Sequence, residues 1–283
     1  MVVIIDGKKF ADEIKESLKT SVQKLKKKNI TPTLSIILVG GRPDSKLYFR
    51  SIQKACELID INTTLYEFAE NMKEEKLISL IKKLNNDKKI HGIIVELPLP
   101  KFMDEKKIIN TISPEKDVDG LNPVNLGNLL IGNETIAPCT PKGIIRLLEK
   151  MKIKVEKKDV VIVNNSNIVG KPLAMMLTNR FATVTLCHVK TRYLSRFTKK
   201  AEMIITATGA PNLIKKDMIK EGVVIIDAGI SCKEDKVCGD VDFENVKDLT
   251  SYITPVPGGV GPITVAMVLE NTIILAEMIG RRK

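Results

Sequence analysis

Apolar residues follow two alternating patterns along the chain, one with a helical period and one of short continuous runs. Residues 10–28 carry apolar side chains at helical spacing, and residues 34–39 form a β-rich apolar run. Further helices are predicted at 45–59, 74–84, 142–150, 172–179 and 263–279, and further strands at 63–68, 92–97, 160–163, 183–186, 203–207 and 223–226. Such alternation predicts mainly parallel sheets covered by helices.

The segment 113–141 interrupts this alternation, because it is rich in Pro, Gly, Asn and Asp. That composition is typical of ordered loops and of connections between domains. We therefore predict an α/β protein of two α/β domains with a cleft between them, the second a Rossmann-like parallel sheet. The first domain is expected to span residues 1–140, with the C-terminal helix 263–283 packing back on it, and the second residues 141–262. The polar segment 232–238 suits a hairpin on the second domain.

Composition narrows the classes of function. A hydrophobic fraction of 43% is typical of a soluble globular protein, and we expect no membrane helix, no secretory signal and a cytoplasmic location. The five cysteines are scattered and only two histidines are present, so we expect reduced thiols and no metal site. The net charge of +11 is spread over many helices, and aromatic residues make up only 4%. A solvated lysine surface that attracts small polyanions is favoured over a nucleic-acid partner.

The chain from 160 to 179 predicts a dinucleotide-binding turn between a strand and a helix. The pattern is imperfect, because Asn164 stands where a first glycine is usual and only Gly170 remains. A plain strand-to-helix crossover would look similar. After the next strand, Lys190 and Arg192 occupy the region where an acid usually holds the ribose of NAD. Basic side chains there suit a 2′-phosphate, so we expect NADP, with NAD possible; ordinary surface charges are the alternative.

Five segments, in order, resemble the methylenetetrahydrofolate dehydrogenase/cyclohydrolase family. They are S-x-x-Y at 45–48, GIIVELPLP at 92–100, PEKDVDG at 114–120, PCTPKG at 138–143 and TPVPGGVGPITVAMVLENT at 254–272. NSNIVGKP at 165–172 and DAGI at 227–230 lie between them in the family's order. The resemblance implies a 5,10-methylenetetrahydrofolate dehydrogenase that transfers hydride from a one-carbon tetrahydrofolate to NAD(P) and works as a homodimer.

The resemblance also assigns roles to individual residues. Tyr48 is expected to stack on the folate, and Asp119 to hold the pterin ring, whose N–H edge suits a carboxylate. By itself, Asp119 would be interpreted as a turn residue before glycine and Tyr48 as part of a helix core. The other expected folate contacts are Glu96, Leu97, Pro257, Gly258, Gly259 and Pro262. The expected cofactor contacts are Asn164, Asn165, Ser166, Ile168, Val169, Gly170, His188, Lys190, Arg192, Thr208, Gly209 and Ile230.

Two positions depart from the family pattern in the catalytic set of Tyr48, Ile52, Glu96 and Asp119. The family places a catalytic lysine four residues after the tyrosine, where this chain has Ile52, and a glutamine where it has Glu96. An isoleucine can neither assist the attack of water nor transfer a proton. We therefore expect dehydrogenase activity with weak or absent cyclohydrolase activity. The alternative is a bifunctional enzyme in which Glu96 serves as a substitute base.

Three rival functions are also considered. A shikimate-type dehydrogenase would share the two-domain plan, but the KDVDG and PGGVGP segments disfavour it. A folate or nucleotide binder without chemistry would bind its ligands and leave them unchanged. A nucleic-acid-binding protein would show binding that weakens steeply with salt.

Overall fold

A computed structural model describes residues 2–40, 43–233 and 236–281, apart from the side chains of 43–45, 47 and 232–233. The side chain of Ser45 in the S-x-x-Y motif and the tip of the predicted hairpin at 234–235 thus lie outside the described residues. In chain order the elements are β1 (Val3–Ile4), α1 (Gly7–Lys26), β2 (Thr33–Val39), α2 (Pro43–Leu58), β3 (Asn62–Phe68), α3 (Glu74–Asn86), β4 (Gly92–Val95), α4 (Glu105–Thr111), α5 (Pro123–Leu130), α6 (Cys139–Lys150), β5 (Asp159–Val163), α7 (Gly170–Thr178), β6 (Thr183–Cys187), α8 (Ser195–Thr198), β7 (Met203–Thr206), β8 (Val223–Asp227), β9 (Ser231–Lys233), β10 (Lys236–Cys238), α9 (Phe243–Val246), β11 (Thr250–Ile253) and α10 (Val260–Gly280).

The chain divides into two compact units, which we name after their sheets. The larger-sheet unit comprises Met1–Ala11, Leu129–Glu134 and Thr140–Thr264. The smaller-sheet unit comprises Asp12–Asn128, Thr135–Cys139 and Val265–Lys283.

The larger-sheet unit contains a six-stranded sheet in the order β1-β11-β8-β7-β5-β6, in which every pairing is parallel. Its central strands are continuous apolar runs, such as Val160–Val163, because helices cover a parallel sheet on both faces. The prediction of a Rossmann-like parallel sheet is confirmed. The prediction assigned all of residues 1–140 to the first domain. The N-terminal segment instead belongs to the larger-sheet unit, because Val3 pairs with Tyr252 and adds the first strand to this sheet.

The smaller-sheet unit contains a parallel sheet in the order β3-β2-β4. The buried face of α3, formed by Leu77, Ile81 and Leu84, belongs to the same apolar core as Ile37 and Ile93 of the sheet. Beyond β4, the segment around Asp117 forms a further parallel bridge to Ile93, which brings the KDVDG loop to the sheet. The sheet therefore fixes the position of that loop.

The interpretation of 113–141 as loop is wrong in its middle, where α5 runs from Pro123 to Leu130. Pro123 suits the first helical position, and the side chain of Asn122 accepts a hydrogen bond from the N–H of Val124 at 2.9 Å. The helix is short and contains Gly127 and asparagines, so its composition resembled that of a loop. The short elements β1, α4 and β11 were also not predicted, because two to seven residues give too little periodicity.

Helix α10 is a long, largely apolar segment of the kind that must be weighed as a possible span of a membrane. Within the described residues it has the length and composition to cross one, with a mean hydropathy of 1.6 over its most apolar window, although 56% of that window is buried in the protein. A core helix of a globular protein has the same composition. Its buried side chains include the polar Asn271 and Thr272.

Lys116 is a buried cation that closes the C-terminal end of α3. Its Nζ donates hydrogen bonds to the carbonyl oxygens of Leu84 at 2.8 Å and Asp87 at 2.7 Å. A cation at this end also meets the negative end of the helix dipole. Burial lowers the pKa of this ammonium group, which the nearby carboxylates of Asp87 and Glu115 partly offset.

We expect Lys116→Met to lower the free energy of unfolding by about 2 kcal/mol, because the carbonyls of Leu84 and of Asp87, just after the helix, lose a charged donor. Urea unfolding followed by circular dichroism measures this change. Lys106→Met, at an exposed position on α4, is the matched control and is expected to change stability by less than about 0.5 kcal/mol. Equal losses in the two variants would contradict the assigned role.

Candidate active site

Three of the predicted catalytic side chains meet at the carboxyl edge of the smaller sheet. Glu96 follows β4 directly, and the bridge between Ile93 and Asp117 carries the chain to Asp119 beside the end of the same strand. Tyr48 comes from α2, which follows β2, the central strand. The negative charges of Asp119 and Glu96 both act on the hydroxyl of Tyr48, which shows that the three groups are neighbours.

The electrostatics of this group reflect carboxyl groups that are partly withdrawn from water. Burial, followed by repulsion from Asp117 and Glu96, raises the pKa of Asp119 to about 8. Burial and then the charge of Asp119 raise the pKa of the Tyr48 phenol well above its usual value. At neutral pH Asp119 therefore carries a proton, and Tyr48 is a neutral hydrogen-bonding group.

Asp117 anchors the loop that carries Asp119. It is 2% exposed, and its Oδ2 accepts hydrogen bonds from the N–H of Asn122 at 2.8 Å and from Nδ2 of Asn125 at 2.9 Å. Burial raises the pKa of Asp117, and these hydrogen bonds partly counteract the rise. The first Asp of KDVDG is thus structural, which leaves the second to face the site.

Asn271 and Cys139 support the same loop and were not identified from the sequence. Fully buried, Asn271 donates from Nδ2 to the carbonyl oxygens of Val118 at 2.8 Å and Ala137 at 3.0 Å. The thiol of Cys139 lies 3.5 Å from the Val118 oxygen and hydrogen-bonds the carboxyl group of Asp119. Both residues lie in segments that carry the family resemblance. The resemblance did not indicate that these two side chains hold the loop.

Ile52 lies one helical turn after Tyr48 on α2 and is fully buried. The position is therefore part of the apolar interior and offers no group for proton transfer. Glu96 and Leu97 are half-buried at the end of β4. The structure thus places an ionisable side chain at Glu96, and not at position 52, beside Tyr48 and Asp119.

The glycine-rich loop predicted to contact folate lies in the larger-sheet unit. Pro257, Gly258, Gly259 and Pro262 line a cavity of about 150 Å³ together with Ile230. The start of α1 presses against this loop, where a Cβ at Gly7 would lie 1.9 Å from the oxygen of Gly259. Glycine at position 7 therefore permits the contact, and the folate contacts of the loop stay a prediction.

The predicted nucleotide turn is held together by the side chain of Asn164. Its Oδ1 accepts from the N–H groups of Ser166 at 2.8 Å and Gly170 at 3.0 Å, and its Nδ2 donates to the oxygen of Ala207 at 2.6 Å. A Cβ on Gly170 would lie 2.0 Å from the backbone carbonyl oxygen of Asn164, so this position requires glycine. Asn164 is therefore a scaffold of the turn.

The turn fits a dinucleotide. Within the described part of the chain, the N–H groups of Asn165 and Ile168 have no acceptor, and helix α7 begins two residues after Ile168. Such N–H groups at a helix N-terminus suit a pyrophosphate. Ser166 instead uses its Oγ to accept from the N–H of Val169 at 3.0 Å.

The other predicted cofactor residues lie after the ends of neighbouring strands. His188 follows β6, and its Nδ1 accepts a hydrogen bond from the N–H of Lys190 at 3.1 Å. The side chains of Lys190 and Arg192 are exposed, as a contact with a 2′-phosphate requires. Thr208 and Gly209 follow β7, and Ile230, 66% exposed, follows β8. Since parallel strands end at one edge, these residues share that edge with the turn.

A buried acid pair, missed by the sequence analysis, supports these loops. Asp240 accepts from Thr206 Oγ1 at 2.6 Å and from the N–H of Thr208 at 2.5 Å. Asp227 accepts from the N–H groups of Gly229 and Val241, each at 2.9 Å. Burial raises the pKa of Asp227 to about 6, with a smaller contribution from Asp240.

Asp119 makes stability depend on pH. Its folded pKa of about 8 exceeds the unfolded value of about 3.9, so the folded state keeps a proton that the unfolded state releases. The free energy of unfolding therefore falls as pH rises from about 4 to about 8. Asp227 acts in the same direction only up to its pKa of about 6.

Between about pH 6 and about pH 8 we expect the free energy of unfolding to fall less in Asp119→Asn than in the unmodified protein, as measured by urea unfolding. Asp248→Asn, an exposed change, controls for the lost charge, and parallel curves for Asp119→Asn and the unmodified protein would refute the expectation.

Removal of the Asn164 side chain should disorganise the nucleotide turn. We expect Asn164→Ala to weaken NADP binding about tenfold or more, because two N–H groups and one carbonyl lose their partner. Titration calorimetry measures the affinity. Asn245→Ala, which removes only bonds to Asp242 on the surface, is the control. An unchanged affinity in Asn164→Ala would show that the turn is held by other contacts.

Comparisons with known proteins agree with this geometry. The family model for the tetrahydrofolate dehydrogenase/cyclohydrolase catalytic domain matches residues 5–119, and the model for its NAD(P)-binding domain matches residues 138–279. The bifunctional protein FolD of Nautilia profundicola is 48% identical over 277 residues, which are 98% of each chain. These matches confirm the predicted family and the NAD(P) cofactor. The name of this relative does not support the expected loss of cyclohydrolase activity.

Two solved structures are similar over nearly their whole length. The bifunctional methylenetetrahydrofolate dehydrogenase/cyclohydrolase FolD from Campylobacter jejuni has a TM-score of 0.96 at 48% identity, over 98% of this chain and 99% of that one. The Trypanosoma brucei methylenetetrahydrofolate dehydrogenase-cyclohydrolase, in complex with NADP and an inhibitor, has a TM-score of 0.95 at 36% identity, over 98% of each chain. With both of its domains matched by one family and its fold shared with that family's enzymes, this chain belongs to the tetrahydrofolate dehydrogenase/cyclohydrolase family.

Proposed function

We propose that the protein is a 5,10-methylenetetrahydrofolate dehydrogenase that also hydrolyses the methenyl product, with Glu96 as the base for the second step. The observation that carries this proposal is the meeting of Tyr48, Glu96 and Asp119 at one edge of a domain that the family's catalytic model matches. Membership of the family removes the shikimate-type rival.

In the first reaction the lone pair of a folate nitrogen expels hydride from the methylene carbon. NAD(P)⁺, when bound, supplies the acceptor for that hydride. The protein needs little acid–base chemistry here, so its side chains mainly align the substrate and exclude water. Asp119 would release its proton to solvent and, as a carboxylate, accept two N–H hydrogen bonds from the pterin, and Tyr48 would pack on the ring system.

In the second reaction water adds to the methenyl carbon and a C–N bond opens to give the 10-formyl compound with release of a proton. A base beside the attacking water accelerates this step. Glu96 is the half-buried carboxyl group next to Tyr48 and Asp119, and it occupies the family's glutamine position. Support for retained hydrolysis comes from relatives that are named bifunctional.

A dehydrogenase without hydrolase activity is the second candidate, and one observation favours it. Ile52 occupies the family's lysine position and is fully buried, so that position supplies neither charge nor proton. Glu96 would then serve only to position the substrate.

The proposal extends to the cofactor, the assembly and the location. NADP is favoured over NAD by the exposed Lys190 and Arg192 after β6. The homodimer and the cytoplasmic location are expected from the family resemblance alone.

A single experiment separates the two candidates. The purified protein is supplied with 5,10-methylenetetrahydrofolate and NADP, and NADPH, the methenyl compound and the 10-formyl compound are quantified over time. We expect NADPH to form and the methenyl compound to disappear faster than in buffer. Glu96→Gln should reduce that disappearance to the buffer rate and leave NADPH formation measurable, because only the second step needs the base.

The controls define each outcome. Glu57→Gln, an exposed change on α2, should behave like the unmodified protein. If the methenyl compound persists at the buffer rate while NADPH forms, the second candidate holds, and Ile52→Lys with Glu96→Gln should then introduce hydrolysis. A protein that binds both substrates but forms no NADPH would refute both candidates.

A further inference from the structure

A second cavity lies in the larger-sheet unit, at the amino ends of its strands. Its volume is about 440 Å³, within the range of small-molecule sites. Residues at or beside the starts of β5, β7, β8 and β11 line it. The nucleotide turn follows the carboxyl end of β5, so the two sites occupy opposite edges of the same sheet.

The walls of this cavity carry an excess of positive charge. Four lysines line it, Lys152, Lys154, Lys158 and Lys220, against the single carboxylate of Glu202. Glu202 is engaged by Lys158, whose Nζ lies 2.6 Å from its Oε1.

Among the described residues, none of the other three lysines forms an ion pair with Glu202. The Nζ of Lys220 donates to the neutral carbonyl oxygen of Lys200 at 3.1 Å, and its charge also acts on Glu202. Lys152 and Lys154 are exposed and form no ion pair with any described residue. A compact anion with several charges is therefore the complementary ligand, since it would approach several ammonium groups at once.

The lining of the cavity also includes apolar side chains and an aromatic ring. Met203, Val224 and Tyr252 line it, and Tyr252 is half-buried. The pairing of β11 with β8 shifts register between Thr250 and Tyr252, so that Ser251 and Tyr252 both line the cavity although they are consecutive residues. Such irregularities in a strand redirect side chains, and they are frequent beside functional sites.

We propose that this lysine-lined cavity binds a nucleoside polyphosphate at a site separate from the NAD(P) turn. The ammonium groups of Lys152, Lys154 and Lys220 contact the phosphates. Tyr252 and the apolar wall contact the base. Inorganic polyphosphate lacks the ring, and an oligoglutamate spaces its charges more widely and has no ring, so both match the cavity less well.

The test is titration calorimetry of ATP into protein that is already saturated with NADP and with a folate. These two ligands occupy the proposed cofactor and folate sites, so that ATP cannot bind there. We expect one ATP to bind, and Lys152→Gln with Lys154→Gln to weaken it about tenfold. Lys82→Gln with Lys83→Gln, an equal loss of exposed charge on α3, should leave the affinity unchanged. Tyr252→Leu, checked for folding by circular dichroism, should reduce the ATP affinity to that of inorganic triphosphate and leave triphosphate binding unchanged.

Three results would overturn the proposal. One is the absence of ATP binding to the saturated protein, and another is an equal loss in the two double-lysine variants. The third is tighter binding of tri-γ-glutamate than of ATP, which would assign the cavity to a different anion. Dehydrogenase activity in the Lys152/Lys154 variant provides an independent check that the protein is intact.

Discussion

The parallel register of the smaller sheet determines which side chains can meet at the catalytic edge. In a parallel sheet all strands end on one side, so residues that follow different strands become neighbours. Glu96 follows β4, Tyr48 comes from the helix after β2, and the bridge of Asp117 to Ile93 brings Asp119 to the same edge. The contacts of Asn271 with Val118 and Ala137 then fix the loop in place.

The same edge concentrates acidic groups, and this gives the site its character. Burial and mutual repulsion raise the pKa of Asp119 to about 8, so a group that would be charged on the surface is largely protonated at neutral pH. A lysine at position 52 would have favoured the charged carboxylates. The buried Ile52 therefore changes the protonation of the site as well as its catalytic groups.

Much of this arrangement was predictable from the sequence. The alternation of helices and strands gave the two α/β units, and the ordered segments gave the family and the positions of Tyr48, Glu96 and Asp119. Elements such as β1 and α5 were missed, because two paired residues or one short asparagine-rich helix carry no periodic signal. The roles of Asn164, Asp240 and Asn271 were also beyond reach, since their partners lie 43, 32 and 153 residues away in the chain. A local pattern contains no record of such contacts.

The side chain of Asn164 has a consequence for how the cofactor is received. Glycine-rich turns are conformationally free, and a ligand that orders them loses affinity to that ordering. Here an amide side chain joins the turn to its own helix and to the end of β7, so the turn is shaped before any ligand is present. We therefore expect cofactor association to require little rearrangement of this turn, so that diffusion and charge dominate its rate.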